Sequence, residues 1–271
     1  MPEVMVPAIE LREVTASSGG YTILSGASVS FPEKAFSVIM GVAGSGKSTL
    51  LKVAAGLAVP DSGSVLFRGS DMAQFGRKDE AAMRATTGFV FQDSALWANT
   101  SILNNVSMPL RVHKPWMGES DIAEAVRLLL KRLGYDEGMA MRPAELSAGE
   151  QKLVSIARAI IHDPSLVFMD DPTSNLDEDA VERVFGLFDD LRKQGRTVIV
   201  VANNSELAYR FADMIGVIKG GVMSIFGPYE ETVAKAESAL SASLSRLKAR
   251  GSRTRSAPDD QGSEMSQRGD V

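Results

Sequence analysis

Gly41 to Ser48 reads G-x-x-x-x-G-K-S, a spacing at which a polypeptide can wrap a phosphate. Gly41, Gly44 and Gly46, with Val42, Ala43 and Ser45 between them, let consecutive backbone N–H groups curl round an anion. The helix opening at Ser48 and Thr49 points its positive end at the same place. Lys47 adds a mobile positive charge for the β- and γ-phosphates of a nucleotide such as ATP, and the Ser48 hydroxyl suits Mg2+. A second acidic element, LVFMDD at 166–171, reads as a buried strand whose last residue, Asp170, can hold the same cation directly or through water. Asp171 follows it. A strand ending in Asp is a weak signal alone and gains its weight from what surrounds it.

Such residues need a scaffold that presents them together. FSVIM (36–40), a continuous apolar run, reads as a fully buried parallel strand, and LLKVAAGL beyond the glycine-rich loop has helical spacing. GFVFQ (88–92), SLVFMDD and TVIVVAN are further buried strands, the last two separated by a helix around 178–193. Strands alternating with helices predict an α/β fold, a mostly parallel sheet covered on both faces. Residues 4–16 and 27–31 alternate apolar and polar positions, the pattern of half-buried strands in an antiparallel edge sheet. VPDSG (59–63) is a turn, and SVLFRG after it another strand. From about 93 to 163 strand signals vanish, and DIAEAVRLLLKRLG is helical up to Gly134, which suggests an inserted helical subdomain. The expected domain covers 1–228, followed by a charged helix at 229–250. A polar tail at 251–271 reads as disordered, or alternatively as a docking element.

Composition narrows the function classes. The chain has 271 residues, 44% hydrophobic and 23% charged, an ordinary globular balance. It has no cysteine, which excludes disulfides and thiolate metal sites. A net charge of −5 argues against a nucleic-acid partner, whose affinity rests on a basic footprint. Apolar runs such as 197–202 are too short to span a bilayer, and the opening MPEVMVPAIELREV lacks the apolar core of a signal peptide. The expectation is a cytoplasmic chain that reaches a membrane only through a partner.

ELSAGEQKLVSIARAI (145–160) resembles the signature helix of the ABC ATPases, and SNLD (174–177) resembles their D-loop. Gln92, closing GFVFQ, matches their Q-loop. The order of P-loop, glutamine, signature, acidic strand and D-loop is that of the family, and the resemblance spans about 8–228. It implies an ABC-type P-loop NTPase fold with bound ATP and Mg2+, the metal held by Ser48, Gln92 and Asp170. It also implies a head-to-tail sandwich in which Ser147, Ala148, Gly149 and Glu150 of one copy meet the γ-phosphate held by another. Ser147 is a good helix N-cap, and exposed amides at 147–149 can bind an anion. A homodimer driving integral membrane permease subunits is the implied assembly, peripheral on the inner face of the cell membrane. The family stacks adenine on an aromatic residue; counting back lands at Ser18, and Tyr21 is the nearby candidate, with packing under the edge sheet as its alternative.

Four positions depart from the family pattern. Where a glutamate usually orients the attacking water stands Asp171, one methylene shorter. A misplacement of about 1 Å can cost about 10²-fold in rate. The usual histidine after the last core strand is Asn203, which can hydrogen-bond a γ-phosphate but cannot accept a proton. Ala148 replaces a glycine, and Leu153 an arginine. Slow hydrolysis with near-normal ATP binding is the expectation; Asp171 serving through a bridging water is the alternative.

FVFQDSALWANTSILNNVSMPLRVH (89–113) resembles the corresponding segment of ATPases of bacterial Mce or Mla lipid-transport systems. The plain physical reading has Leu96, Trp97, Ile102, Val106 and Leu110 packing the helical lobe. SNLD and SAGEQ also resemble the lipoprotein-release and macrolide-type group. A nucleotide-gated clamp that scarcely hydrolyses ATP, and an iron–sulfur assembly ATPase, complete the alternatives.

Overall fold

The computed structural model describes residues 6–135 and 138–235. In chain order the elements begin with β1 (Ile9–Ser18), β2 (Tyr21–Phe31), β3 (Phe36–Met40) and α1 (Lys47–Ala54). β4 (Ser62–Phe67), β5 (Ser70–Asp71), α2 (Arg77–Thr86) and β6 (Thr87–Val90) follow. The helical stretch holds α3 (Ile102–His113), α4 (Glu119–Arg132) and α5 (Ala148–Ile160). β7 (Leu166–Asp170), α6 (Glu178–Lys193), β8 (Thr197–Val201), α7 (Ser205–Phe211), β9 (Met214–Lys219), β10 (Val222–Pro228) and α8 (Tyr229–Lys235) complete it.

β3, β7 and β8 are buried along their whole length, as their unbroken apolar runs require. They lie inside a six-stranded sheet of order β10-β9-β3-β8-β7-β6, parallel except for the antiparallel edge strand β10. A second, wholly antiparallel sheet has the order β2-β1-β4-β5. Successive side chains on each central strand point to opposite faces. Val38, Val167, Met169, Val198 and Val200 therefore enter one apolar core, while Ile39, Phe168, Ile199 and Val201 enter another. The second core is closed by Leu50, Leu51 and Val53 of α1 and by the inner face of the antiparallel sheet, Ile9, Leu11, Leu24 and Phe31.

The first core is closed by α6 and α7 and also by α3, α4 and α5. Ile102, Val106, Val126, Leu130, Val154 and Ile156 form one continuous cluster with the strands. The expected helical lobe thus shares its core with the sheet rather than building one of its own. The structure adds elements that the periodicity did not announce. α2 buries only Met83, so it offers no apolar stripe to read. β10 is half-exposed along its length and lacks the signature of a core strand. Of the helix expected at 229–250, the part through Lys235 is described; the remainder and the 251–271 tail lie outside the described residues.

Candidate functional site

Strand register, rather than any local motif, brings the chemistry together. Ile39 pairs with Val201, Val201 with Asp170, and Met169 with Val90, so β3, β8, β7 and β6 end level. Beyond those ends lie the glycine-rich loop, Asn203, Asp171 and Gln92 respectively. In open α/β sheets this carboxyl edge is where ligands sit.

The loop after β3 turns through Gly44 (φ 74) and Gly46 (φ 99), and Gly46 caps the N-terminus of α1. The Lys47 ammonium donates to the carbonyls of Gly41 (2.7 Å) and Val42 (2.8 Å), lying across the loop. Burial lowers its pKa, against the opposing pull of Asp170 and Asp171. The Ser48 hydroxyl donates to Asp170 Oδ1 at 3.0 Å, which joins two hard oxygen atoms from α1 and β7 at one point. That donor set fits Mg2+, which takes one or two carboxylates and completes its shell with water and substrate phosphates. Among the described residues no group of three His, Asp or Glu forms a metal cage, and Mg2+ of this kind needs none. Burial raises the pKa of Asp170, opposed by the Ser48 hydrogen bond and Lys52.

Asp171 sits at φ 48, a left-handed conformation that aspartate tolerates better than most residues. Its amide donates to Val201 O (2.9 Å), and its carbonyl accepts from the Ser174 hydroxyl (2.9 Å) and amide (3.3 Å). Its backbone is therefore held on both sides. Burial raises the carboxyl pKa, with Lys152 and Lys47 opposing. Asn203 is exposed past the end of β8, while its neighbour Asn204 caps α7 by accepting from the amides of Glu206 and Leu207.

Gln92 is exposed, and its backbone is tied down from below. The Lys152 ammonium of α5 donates to the carbonyls of Phe91 (3.1 Å) and Gln92 (2.7 Å), and Lys152 is only 1% exposed. Arg158 of the same helix donates to the carbonyls of Ser94 (3.0 Å) and Ala95 (2.8 Å). Sequence reading passed over Lys152; the one available signal was a lysine set among apolar residues near the start of a buried helix. Leu153, standing where the resemblance leads one to expect arginine, is buried in the core.

At the start of α5, Ser147 accepts from the Glu150 amide (3.2 Å), and the Ser147 amide donates to the Glu150 carboxylate (2.7 Å). This reciprocal cap uses the Ser147 amide internally, unlike the expectation that it faces an anion. The amides of Ala148 and Gly149, in the first turn, have no partner within a helix. The Asn175 carbonyl of the 174–177 turn lies against Gly149. Tyr21 is 77% exposed and does not pack beneath the sheet; it stands two residues before Ile23, whose carbonyl lies against Gly46. Another unanticipated support is the β9–β10 turn, where the Gly221 amide donates to Ser45 O at 3.1 Å. In the helical lobe Ile102, Val106 and Leu110 are buried as expected and Leu96 packs against the core, whereas Trp97 is 52% exposed.

Known proteins resemble this arrangement. The family described as ABC transporter matches residues 24–174. The pyoverdine export ATP-binding/permease protein PvdT of Pseudomonas aeruginosa is 37% identical over 225 residues, 81% of this chain; the chain spans about a third (34%) of that relative's length. The octopine permease ATP-binding protein P of Rhizobium radiobacter is 33% identical over 244 residues, covering 86% of this chain and 93% of that protein. Among solved structures, the dimeric ATP-binding cassette MJ0796 in a post-hydrolysis state with ADP and Pi matches with a TM-score of 0.76 at 29% identity. That match covers 82% of this chain and 98% of that one.

Proposed function

Since the chain belongs to the ABC transporter family, as an ATP-binding cassette with the fold of that family, we propose that it binds and hydrolyses ATP at the carboxyl edge of its central sheet and drives a membrane permease. The observation that carries this reading is the Ser48–Asp170 bond beside Lys47, which joins phosphate cradle and cation ligands at one point.

In this proposal the amides of 41–49 cradle the phosphates, and Lys47 leaves its loop carbonyls to reach the outer ones. Ser48, Asp170 and Gln92 would hold Mg2+, which would supply positive charge beside the phosphates. Asp171 orients the attacking water and Asn203 hydrogen-bonds the γ-phosphate. Tyr21, open to solvent near the phosphate loop, stacks on adenine. The amides of Ala148 and Gly149, behind the Ser147–Glu150 cap, meet the nucleotide of a second copy in a head-to-tail dimer. Because the Asp171 backbone is bonded on both sides, it cannot shift to make up for the missing methylene, and intrinsic hydrolysis is slow.

Among the described residues no helix is long and apolar enough to cross a membrane. In this reading a permease is seated on the helical lobe beside Trp97. For the cargo we propose an envelope lipid, supported by the resemblance of residues 89–113 to Mce- and Mla-type ATPases. The second reading is export of a small secreted molecule, favoured by the identity with a pyoverdine exporter. Two measurements test the whole. Mg2+ and ATP together, but not ADP, are expected to shift the full chain to a dimer in sedimentation, and an Asp170→Asn chain to stay monomeric. A chain that dimerises without nucleotide, or never, contradicts the sandwich. ATP-dependent movement of a fluorescent phospholipid by the chain with its permease supports the lipid cargo; ATPase stimulation by secreted small molecules alone transfers the case to the second reading.

A further inference from the structure

The loop from Phe91 to Ala95 hangs from one face of α5. Four of its five carbonyls accept from two cationic side chains: Phe91 and Gln92 from Lys152, Ser94 and Ala95 from Arg158. Ser94 and Ala95 both adopt left-handed φ angles, 64° and 45°. Neither has the glycine that would make this conformation easy, so it persists because its surroundings over-determine it. A buried ammonium is costly unless it is paired and fully hydrogen-bonded, and Lys152 spends two of its three donors on consecutive carbonyls. Its charge also lies in the field of Asp170, Asp171 and Asp93. Nothing in the packing of α5 calls for a cation here, because Leu153, Val154, Ile156 and Ala157 already fill the core beside it.

We infer that Lys152 is a positioning residue that locks the backbone of Gln92 to α5, so that the side chain at 92 is aimed by the helix whose first turn meets the second copy's nucleotide. Lys152 lies one turn from Gly149. Movement of that first turn is passed to Gln92 through two hydrogen bonds rather than through the length of the lobe. The inference rests on the reading of this edge as an ATP site for its kinetic consequence, and on the hydrogen bonds alone for its structural one.

The test uses the full chain in two ways. Steady-state hydrolysis of ATP is compared for wild type, Lys152→Met, Lys152→Arg, Gln92→Ala and the Lys152→Met/Gln92→Ala pair, with Lys47→Ala as the blank. Misplacing a catalytic group by about 1 Å costs up to about 10²-fold, so kcat of Lys152→Met is expected to fall about tenfold or more while nucleotide affinity stays within about twofold. Lys152→Arg is expected to recover most of the rate, and the double variant to be no slower than Gln92→Ala, since both act through one side chain. A Lys152→Met chain that turns over at the wild-type rate, or losses that multiply in the double variant, overturns the proposal. If Lys152→Met does not fold, Lys152→Gln carries the same comparison.

Trp97 supplies the second readout, independent of hydrolysis. The chain has two tryptophans, so Trp116→Phe leaves Trp97 as the only one, five residues beyond Gln92. In that background Lys152→Met is expected to raise collisional quenching of Trp97, and Lys152→Arg to leave it as it was. Unchanged quenching in both overturns the clamp. Wild-type hydrolysis no higher than the blank, with quenching that responds as expected, places the failure in the ATPase reading and leaves the clamp standing.

Discussion

Two lysines, one opening α1 and one within α5, hold two different loops in the same way. Lys47 donates to the consecutive carbonyls of Gly41 and Val42; Lys152 donates to those of Phe91 and Gln92. Burial lowers the pKa of both, and Asp170 and Asp171 oppose it in both. The surroundings then separate them. Lys47 is partly exposed on a glycine-rich turn, where its ammonium can exchange loop carbonyls for phosphate oxygens. Lys152 is sealed under the loop it holds, with no path to a ligand. On the proposed reading the same bonding is a resting state in one loop and a permanent fixture in the other. Access to solvent decides which.

The largest effect expected from breaking this comparison falls on the exposed member. Lys47→Ala is expected to lower phosphate release to background, a loss of about 10³-fold or more for a charge clamp on a transferring phosphoryl group. Fluorescent-nucleotide titration should show weaker binding as well. The buried lysine is expected to affect rate without affinity; a Lys47→Ala chain that also keeps full affinity would erase the distinction.

A smaller effect, confined to the Lys47 side, is expected at the β9–β10 turn. Gly221 has φ 78, and a Cβ there would stand 2.3 Å from Ile23 O, beneath the bond to Ser45. Gly221→Ala should therefore cost about 3 kcal/mol in urea unfolding, the upper range for a strained backbone position, and raise KM for ATP. A variant as stable as wild type shows that this turn does not support the loop.

The smallest belongs to the Lys152 side. His162, just past the end of α5, is buried, and its Nε2–H donates to Thr87 O at 3.1 Å. Its pKa is pushed down to about 4, chiefly by burial. Below its ordinary value of 6.5 the unfolded ring takes up a proton that the folded ring refuses until about pH 4. Stability from neutral His162 is therefore whole above pH 6.5 and is lost as pH falls from 6.5 to 4, about 2 kcal/mol after allowance for screening. His162→Gln is expected to flatten the unfolding free energy over that window. An equally steep profile in the variant assigns the acid sensitivity elsewhere.

The comparison also explains what could be read from the chain alone. Lys47 announced itself because phosphate binding demands particular residues at fixed short spacing, and the strand before it and helix after it are local patterns. Asp170 was half legible: the buried strand LVFMD ends on it, a weak signal alone, and the meeting of its carboxylate with Ser48 comes from the fold. The central strands followed from their unbroken apolar runs. Lys152 was not legible, because its role depends on carbonyls far away in sequence, and any residue can present a carbonyl. Gly221 escaped likewise, since its partner Ser45 lies far back along the chain, and the half-exposed β10 beside it carries little apolar signal. The Ser147–Glu150 cap was half legible: the capping serine was anticipated, whereas the use of its own amide depends on which rotamer Glu150 adopts.

The central proposal is an ATP site whose hydrolysis is held back chiefly by the reach of one carboxylate. It is tested most directly by steady-state ATP hydrolysis of the full chain beside Asp171→Glu, with Lys47→Ala as the blank. Wild-type turnover is expected to be slow yet well clear of the blank, with a rise of about 10²-fold in Asp171→Glu, the cost of about 1 Å restored. Brisk wild-type turnover that the glutamate leaves unchanged would contradict it.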